Sequence, residues 1–322
     1  MLVKDALNNG GSLHPLILPH SVTGGVGVMN PSVFVNSNNE IFCNIRVVNY
    51  ALYHSRKHPH KYGPLQYLHE EDNIALDTFN VLAKLDQDLN IVSHHKVDTS
   101  ANDTPPAWNF TGLEDARLVE WDEETFLIGV RRDVKSDGEG RMEMSALTFN
   151  SGEASEDYRT RMEPPVPSYC EKNWMPILDW PHHFVKWTSP TEIVKHDGNG
   201  KCETVRVLES RFDGTLRRDL RGGSQLVPFK DGYLALTHDS VLYKTQQNQK
   251  DATYLHRFVF FNIDLELTEI TDTFTLLGGD IEFCCGLAAY EDDLLISFGY
   301  QDSSAFILKI SKEQVSNIIW KS

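Results

Sequence analysis

The stretch that decides the fold of this 322-residue chain is NPSVFVNSNNEIFCNIR, residues 30–46. It contains a short apolar strand, a turn rich in Asn and Glu, and a second apolar strand that ends in a polar residue, which is the pattern of a β-hairpin. The pattern returns four times, as EDARLVEWDEETFLIGVR (114–131), KNWMPILDWPHHFVKW (172–187), GGSQLVPFKDGYLALTH (222–238) and CGLAAYEDDLLISFG (285–299). The chain is therefore a series of similar β-hairpins.

The spacing of the five copies indicates a propeller. Their starts lie 84, 58, 50 and 63 residues apart, and a four-stranded propeller blade needs about 40–50 residues. An isolated hairpin is only marginally stable, whereas blades packed around an axis bury both faces of each sheet. We therefore predict an all-β, five-bladed β-propeller in which residues 1–322 form a single domain. A β-sandwich with coincidentally similar hairpins is the alternative.

Charge and composition limit the classes of partner. The chain carries 30 Lys and Arg against 46 Asp and Glu, a net charge of −16. Such a surface repels nucleic acid and anionic membranes but not a neutral carbohydrate, and an anionic ligand needs a local basic pocket. The five cysteines show no metal spacing, which indicates free thiols. With no signal-peptide-like start and no run of 18 apolar residues, we expect a cytoplasmic protein without a membrane span.

The propeller model brings the polar residues at the hairpin starts together at one mouth of the central channel. The first strand of each blade starts there, so these residues converge: Asn30, Glu114, Asp115, Lys172, Asn173 and Arg221. Strand ends add Arg46, Arg131, His238 and Asp302. Acids, amides and cations around one cavity are the groups that sugar hydroxyls and a phosphate require.

Several of these residues stand in motifs that resemble glycoside hydrolase family 130, the inverting mannoside phosphorylases and mannosidases. GLEDAR (112–117) resembles that family's GxEDPR segment, with Ala116 in place of the proline. The first copy resembles its NP…R pattern, residues 221–238 its R-G…P…G…H blade, and residues 298–305 its YGxxD–A segment. The block 171–174 departs from the family and resembles a divergent branch of the same superfamily, which includes mannosyltransferase-phosphorylases.

The resemblance implies a five-bladed enzyme that cleaves or forms a glycosidic bond, by inverting mannoside phosphorolysis or a related glycosyl transfer. It implies that Asp115 donates the proton to the leaving oxygen, by way of a sugar hydroxyl. The residues predicted to bind the sugar are Asn30, Arg46, Glu114, Arg117, Asn173, Trp174 and Asp302. Those predicted to bind phosphate are Arg131, Lys172, Arg221 and His238. No metal or other cofactor is expected, because inorganic phosphate, a sugar 1-phosphate or an oligosaccharide is itself the substrate.

Local geometry refines the expectation at Asp115. On a regular strand Glu114 and Asp115 point to opposite faces, so only one faces the ligand, and Arg117 shares the face of Asp115. Two adjacent carboxylates in a low-dielectric mouth do not both ionise freely, so the pKa of one should be raised. The aromatic residues expected to stack on a sugar ring are Trp108, Trp174 and Tyr300. The histidines His54, His58 and His60 are expected to lie in a polar loop over the channel, not in a metal site.

Several alternatives stay open from the residues alone. Asp115 and Arg117 could form a purely structural pair, and each cation taken singly could be an ordinary surface residue. Phosphate, water or an acceptor hydroxyl could take the glycosyl group, and a sugar nucleotide could donate it. A propeller without catalytic activity, binding a glycan or a protein, is the alternative from a different class.

Overall fold

The computed structural model describes residues 1–53, 66–68, 75–150, 153–212, 216, 220–244 and 250–320. The predicted polar loop with His54, His58 and His60 lies outside the described residues. Three short helices are present in the described part: α1 (Leu2–Leu7), α2 (His20–Thr23) and α3 (Lys312–Ile319). Within that part, every helix is too short or too polar to span a bilayer.

The rest of the described chain is dominated by strands. The first twelve are β1 (Ser12–Pro15), β2 (Val28–Val35), β3 (Ile41–Val48), β4 (Ala51–Tyr53), β5 (Gln66–Leu68), β6 (Leu76–Leu85), β7 (Ile91–Asp98), β8 (Phe110–Thr111), β9 (Glu114–Trp121), β10 (Glu124–Arg131), β11 (Arg141–Asn150) and β12 (Glu153–Arg161). The next twelve are β13 (Met175–Pro176), β14 (His183–Thr188), β15 (Thr191–His196), β16 (Cys202–Leu208), β17 (Leu220–Gly222), β18 (Val227–Phe229), β19 (Gly232–Lys244), β20 (Lys250–Asn262), β21 (Leu267–Ile270), β22 (Glu282–Tyr290), β23 (Asp293–Tyr300) and β24 (Ser304–Ser311). The all-β prediction is confirmed.

The strands pair mainly with their neighbours in the chain, as repeated hairpins require. Antiparallel groups run β2–β3–β6–β7, β9–β10–β11–β12 and β13–β14–β15–β16, and a further group has β17 and β18 on β19, followed by β20 and β21. The parallel pairs Val97–Ala154 and Asp98–Ser155 join the first two groups into one sheet. The last group is β22–β23–β24, and β1 completes it from the other end of the chain. This arrangement differs from the two facing sheets of a β-sandwich. The number of blades stays a prediction.

Side chains in the turns stabilise the hairpins locally. The Oδ1 atom of Asn36 accepts the backbone N–H groups of Asn38 and Glu40 between β2 and β3. Asp197 makes the same pair of contacts between β15 and β16, and so does Asn262 between β20 and β21. Asn and Asp favour such turns because their short side chains hydrogen-bond the backbone two residues on. The turn signals in the sequence therefore correspond to real turns.

Apolar side chains fill the space between strand groups. One buried cluster joins β2 and β3 to β23 and β24, with Val33 and Ile45 against Leu295 and Ile307. Comparable clusters join the other groups in succession, and α1 contributes to one of them. All five cysteines are free, four of them buried and Cys170 half-buried.

A buried glutamine ties the first strands of several groups together. Gln225 is fully buried, and its Nε2 donates to the Leu118 carbonyl at 2.8 Å and to the Ser32 hydroxyl at 3.1 Å. Its Oε1 accepts the N–H of Leu287 at 3.1 Å. One amide thus hydrogen-bonds backbone groups of β9 and β22 and the Ser32 hydroxyl of β2, and so satisfies polar groups that are buried.

Candidate active site

The first strands of the groups begin at a common cavity of about 150 Å³. It is small beside the roughly 300–1,000 Å³ clefts that hold drug-sized ligands. Nine of the twelve predicted site residues line it: Asn30, Arg46, Glu114, Asp115, Lys172, Asn173, Arg221, His238 and Asp302. These residues come from distant parts of the chain, and the fold brings them together.

Arg46 is the central cation of the acidic side of the cavity. Its guanidinium is 4% exposed, and Nη1 lies 2.8 Å from Oδ1 of Asp115 while Nη2 lies 3.5 Å from Oε2 of Glu114. Nη2 also donates to the hydroxyls of Tyr50 and Thr78. Arg46 is therefore held by its neighbours and is not an available cation for phosphate. It organises the carboxylates instead.

Both Glu114 and Asp115 line the same cavity, so the expectation that only one of them faces the ligand is wrong. The reason is a bulge in β9, where the pairing with β10 shifts between Arg117 and Glu114. Asp115 has a left-handed backbone, with φ of 50°, and this breaks the alternation of side chains along the strand. Asn30 and Asn173 have the same conformation at the corresponding places, with φ of 45° and 62°. Asn and Asp are the residues other than glycine that tolerate it best.

The pKa values of the three carboxylates in the cavity are shifted in different directions. Burial raises the pKa of Glu114, against the opposing effect of Arg46. Burial and the charges of its acidic neighbours raise the pKa of Asp302 to about 6, although Arg46 opposes this too. Burial alone would raise the pKa of Asp115, but Arg46 and the Asn30 amide, 2.6 Å from Oδ1, bring it below its ordinary value. Within the adjacent pair the pKa of Glu114 is raised, as expected for one of the two, and the pKa of Asp115 is lowered.

Arg117 supports the cavity from beneath and does not line it. It is fully buried, and its guanidinium donates to the carbonyls of Gly223 and Asp115, at 2.8 and 2.7 Å, and to Oδ1 of Asn173 at 3.3 Å. It contacts the backbone of Asp115, so the structural pair between the Asp115 carboxylate and Arg117 is not what the structure shows. Arg117 joins three strand groups and holds Asp115 and Asn173 in place.

A second part of the cavity carries positive charge. Lys172 is exposed and Arg221 half-buried, and both line the cavity. Among the described residues neither has an ion-pair or hydrogen-bond partner, in contrast to Arg46. His238 lies in β19 directly opposite Arg221 of β17 and is 3% exposed. Two unpaired cations beside an imidazole can receive an anion despite the net charge of the chain.

Two predicted residues lie away from this cavity. Arg131, predicted to bind phosphate, is paired with Glu143 at 2.8 Å and Asp133 at 3.4 Å and lines a separate cavity. The next residue, Arg132, stacks on the ring of Phe110, which does line the candidate site. Trp174, predicted to contact sugar, is 1% exposed and donates its indole N–H to Glu171. Neither Arg131 nor Trp174 can reach a ligand in the candidate cavity.

The aromatic lining differs from the expected one. Trp108, Trp174 and Tyr300 are absent from the cavity wall, and the apolar and aromatic side chains that line it are Tyr50, Phe110, Tyr254, Ile281 and Phe283. Phe110 precedes the GLEDAR motif and Tyr50 follows the first hairpin, so proximity to predicted site residues was an available signal for both. Tyr254 lies on β20, outside every hairpin copy, and had no such signal.

The sequence matches no protein-family model and no curated protein, but the fold matches solved structures. One is β-1,2-mannobiose phosphorylase from Listeria innocua in complex with β-1,2-mannobiose, with a TM-score of 0.58, 14% identity, and 96% of this chain and 97% of that chain covered. Another is MPT-4, a mannose phosphorylase from Leishmania mexicana in complex with phosphate, with a TM-score of 0.52 and 11% identity. That match covers 98% of this chain and 94% of the other. A third is MPT-1, a GDP-Man-dependent mannosyltransferase from Leishmania mexicana, with a TM-score of 0.51 and 12% identity. That match covers 93% of this chain and 89% of the other.

These likenesses define the class of fold. The chain has a glycoside hydrolase family 130-like fold, as the motifs implied. At such low identity, the comparison concerns the fold alone.

Proposed function

We propose that the strand groups are the blades of a five-bladed propeller formed by residues 1–322 as one domain. Groups of four or five strands follow one another along the chain, and apolar clusters join them in succession. Pairing of β1 with β24 supports this proposal, because joining the two ends of the chain in one blade closes a propeller.

We propose further that the chain is a carbohydrate-active enzyme that cleaves or forms a glycosidic bond at the mouth of the propeller channel. The observation that carries the proposal is the cavity itself, in which three carboxylates meet two cations, Lys172 and Arg221, that have no partner among the described residues. The favoured reaction is inverting phosphorolysis of a mannoside, or a related glycosyl transfer. A flat binding face for a glycan or protein would not need buried acids and cations in one enclosed space.

The two sides of the cavity suit the two substrates of phosphorolysis. Lys172, Arg221 and His238 would hold phosphate, whose oxygen forms the new bond to the anomeric carbon. Asn30, Asn173, Glu114 and Asp302 would contact sugar hydroxyls, and the aromatic side chains would face the apolar side of the ring. The bond between the anomeric carbon and the leaving oxygen breaks, and that oxygen takes up a proton.

Asp115 is the proposed source of that proton, which requires that its carboxyl group be protonated before the reaction. A general acid must be protonated before the reaction, whereas Asp115 is ionised in the free protein because of Arg46 and Asn30. A phosphate dianion in the same cavity adds negative charge, which raises the pKa of nearby carboxylates. Bound phosphate would therefore shift the pKa of Asp115 upward, towards the protonated form that a general acid needs, and Asp302, with a pKa of about 6, lines the same cavity.

The proposal needs no cofactor, because inorganic phosphate or a sugar 1-phosphate is a substrate. The natural partner would be an oligosaccharide or sugar phosphate, and the proposed location is the cytoplasm.

The direct test is synthesis from sugar 1-phosphates. The protein is incubated with a panel of sugar 1-phosphates and acceptor sugars, and released phosphate is measured. We expect release with at least one pair, strongly reduced in Arg221→Ala. The matched control is Asp133→Asn, which alters an arginine-paired carboxylate outside the cavity and should retain activity. If no pair releases phosphate although the acceptor sugars still bind, the result would favour a propeller without catalytic activity.

A further inference from the structure

His238 is a buried histidine at the positive side of the cavity. It is 3% exposed and lies on β19, between Arg221 of β17 and His256 of β20 in the sheet register. Its ring packs edge-on against Phe283, with centroids 5.0 Å apart, and at a tilt against Tyr254 at 5.3 Å. The ring is therefore held on two sides by aromatic rings and cannot turn freely.

The two ring nitrogens of His238 have different surroundings. Nδ1 is buried and has no hydrogen-bond partner in the described part of the protein. Nε2 also has no hydrogen-bond partner there, but unlike Nδ1 it is not fully buried, and His238 lines the cavity. A ligand can therefore reach Nε2, while no described residue accepts a proton from Nδ1.

The charges that act on the ring are positive. Arg221 faces it from β17, Lys172 from the cavity wall and Arg117 from β9, and burial together with these charges holds the pKa of His238 well below its usual range. His256 on β20 is also uncharged, since burial lowers its pKa to about 3. The carboxylates Glu114, Asp115 and Asp302 share the cavity.

We propose that His238 serves the anion site as a permanently neutral imidazole, which donates its Nε2–H to an oxygen of the bound anion and carries no proton on Nδ1. An imidazolium would place a buried N–H at Nδ1, for which the described residues supply no acceptor, and this has a direct free-energy cost. This inference rests on the proposed function, because it specifies the charge state of one residue in the proposed phosphate site. The fixed positive charge of the site then comes from Lys172 and Arg221, which together match a dianion.

Sulfate is the probe that tests this, because it does not titrate near neutral pH. Its dissociation constant is measured by calorimetry for the wild type, His238→Leu and His238→Gln at several pH values between about 6 and 8. We expect His238→Leu to bind about tenfold more weakly, since a hydrogen bond to a charged group is lost. His238→Gln should recover most of the affinity, because its amide can donate from a similar position.

The decisive quantity is the ratio of the His238→Leu and wild-type dissociation constants. Titration of cavity carboxylates that is common to both proteins cancels in the ratio, so a neutral donor predicts a ratio that is independent of pH. An imidazolium predicts a ratio that falls about tenfold for each pH unit above its pKa. Such a fall would overturn the inference but leave the anion site in place. Failure of the wild type to bind sulfate or phosphate would overturn the site and the inference together.

Nitrogen NMR of the wild type gives a second reading that does not depend on the variants folding. With ¹⁵N-labelled histidine, we expect the His238 ring to show the neutral Nε2–H form both without sulfate and at saturation. An imidazolium signal at saturation would contradict the inference.

Discussion

The Asp115→Asn substitution is the sharpest test of the proposed chemistry. Asn tolerates the left-handed backbone at this position, where φ is 50°, and its oxygen can still accept from Asn30 and Arg46. What it lacks is a proton to transfer. General acid catalysis typically contributes about 10²–10⁴-fold, so the turnover rate should fall by roughly that factor while sugar binding persists.

The structure also sets the expected loss of stability. Arg46 would lose its closer carboxylate, now at 2.8 Å, but would keep Glu114 at 3.5 Å and the hydroxyls of Tyr50 and Thr78. Weakening one charge-assisted hydrogen bond in a buried setting should lower the free energy of unfolding by about 1–3 kcal/mol. A reduced melting temperature is therefore expected whether or not Asp115 is catalytic, and it cannot separate the two roles by itself.

The assay must therefore measure rate on folded protein. Phosphate release is followed at saturating sugar and well below the melting temperature of the variant, and sugar affinity is measured separately. Asp133→Asn is the matched control, because it makes the same carboxylate-to-amide change at an acid that pairs with Arg131 outside the candidate cavity. We expect it to retain far more activity. A folded Asp115→Asn protein that turns over at nearly the wild-type rate would refute the proposed mechanism.

Three further predictions concern anion binding, the core and pH. Arg221→Ala should weaken phosphate binding by about tenfold or more and leave the melting temperature nearly unchanged, because Arg221 has no ion-pair partner in the described structure; unchanged affinity by calorimetry would contradict its role. Gln225→Ala should lower the free energy of unfolding by roughly 2–5 kcal/mol in urea titrations, since it leaves the N–H of Leu287 and the carbonyl of Leu118 unpaired; a loss below 1 kcal/mol would show that water replaces the amide. The pKa of Asp302 is raised to about 6 from 3.8, so the folded state binds more protons than the unfolded state between about pH 4 and 6. As pH rises through that window, the wild type should therefore lose up to about 3 kcal/mol of stability relative to Asp302→Asn. Parallel pH profiles of the two proteins would contradict the shifted pKa.

The local part of the fold could be predicted from the sequence because its causes are local. Turn residues such as Asn36, Asp197 and Asn262 hydrogen-bond backbone groups within four residues of themselves, so short segments suffice to recognise the hairpins. Repetition of the hairpins then indicated a propeller-like arrangement. In such a fold, residues at the first-strand starts meet at one opening, which explains why so many predicted site residues line one cavity.

The direction of individual side chains depended on contacts between distant segments. Alternation along β9 failed at Asp115 because of the bulge against β10. Arg131 turned away because Glu143 on the neighbouring strand pairs with it, and Trp174 entered the core against Phe184. No local pattern in the sequence announces such partners, since each comes from pairing or packing between separate elements.

The sequence by itself thus determined the β class, the positions of the hairpins and the acids, amides and cations that meet at the candidate site. Only the tertiary structure decided their charge states and roles. Arg46 and Asp115 are 69 residues apart in the chain, and their contact lowers the pKa of Asp115. Burial and neighbouring charges raise the pKa of Asp302 and lower the pKa of His238, and both shifts favour the neutral form. Electrostatic energies depend on distance and burial, which exist only once the chain has folded.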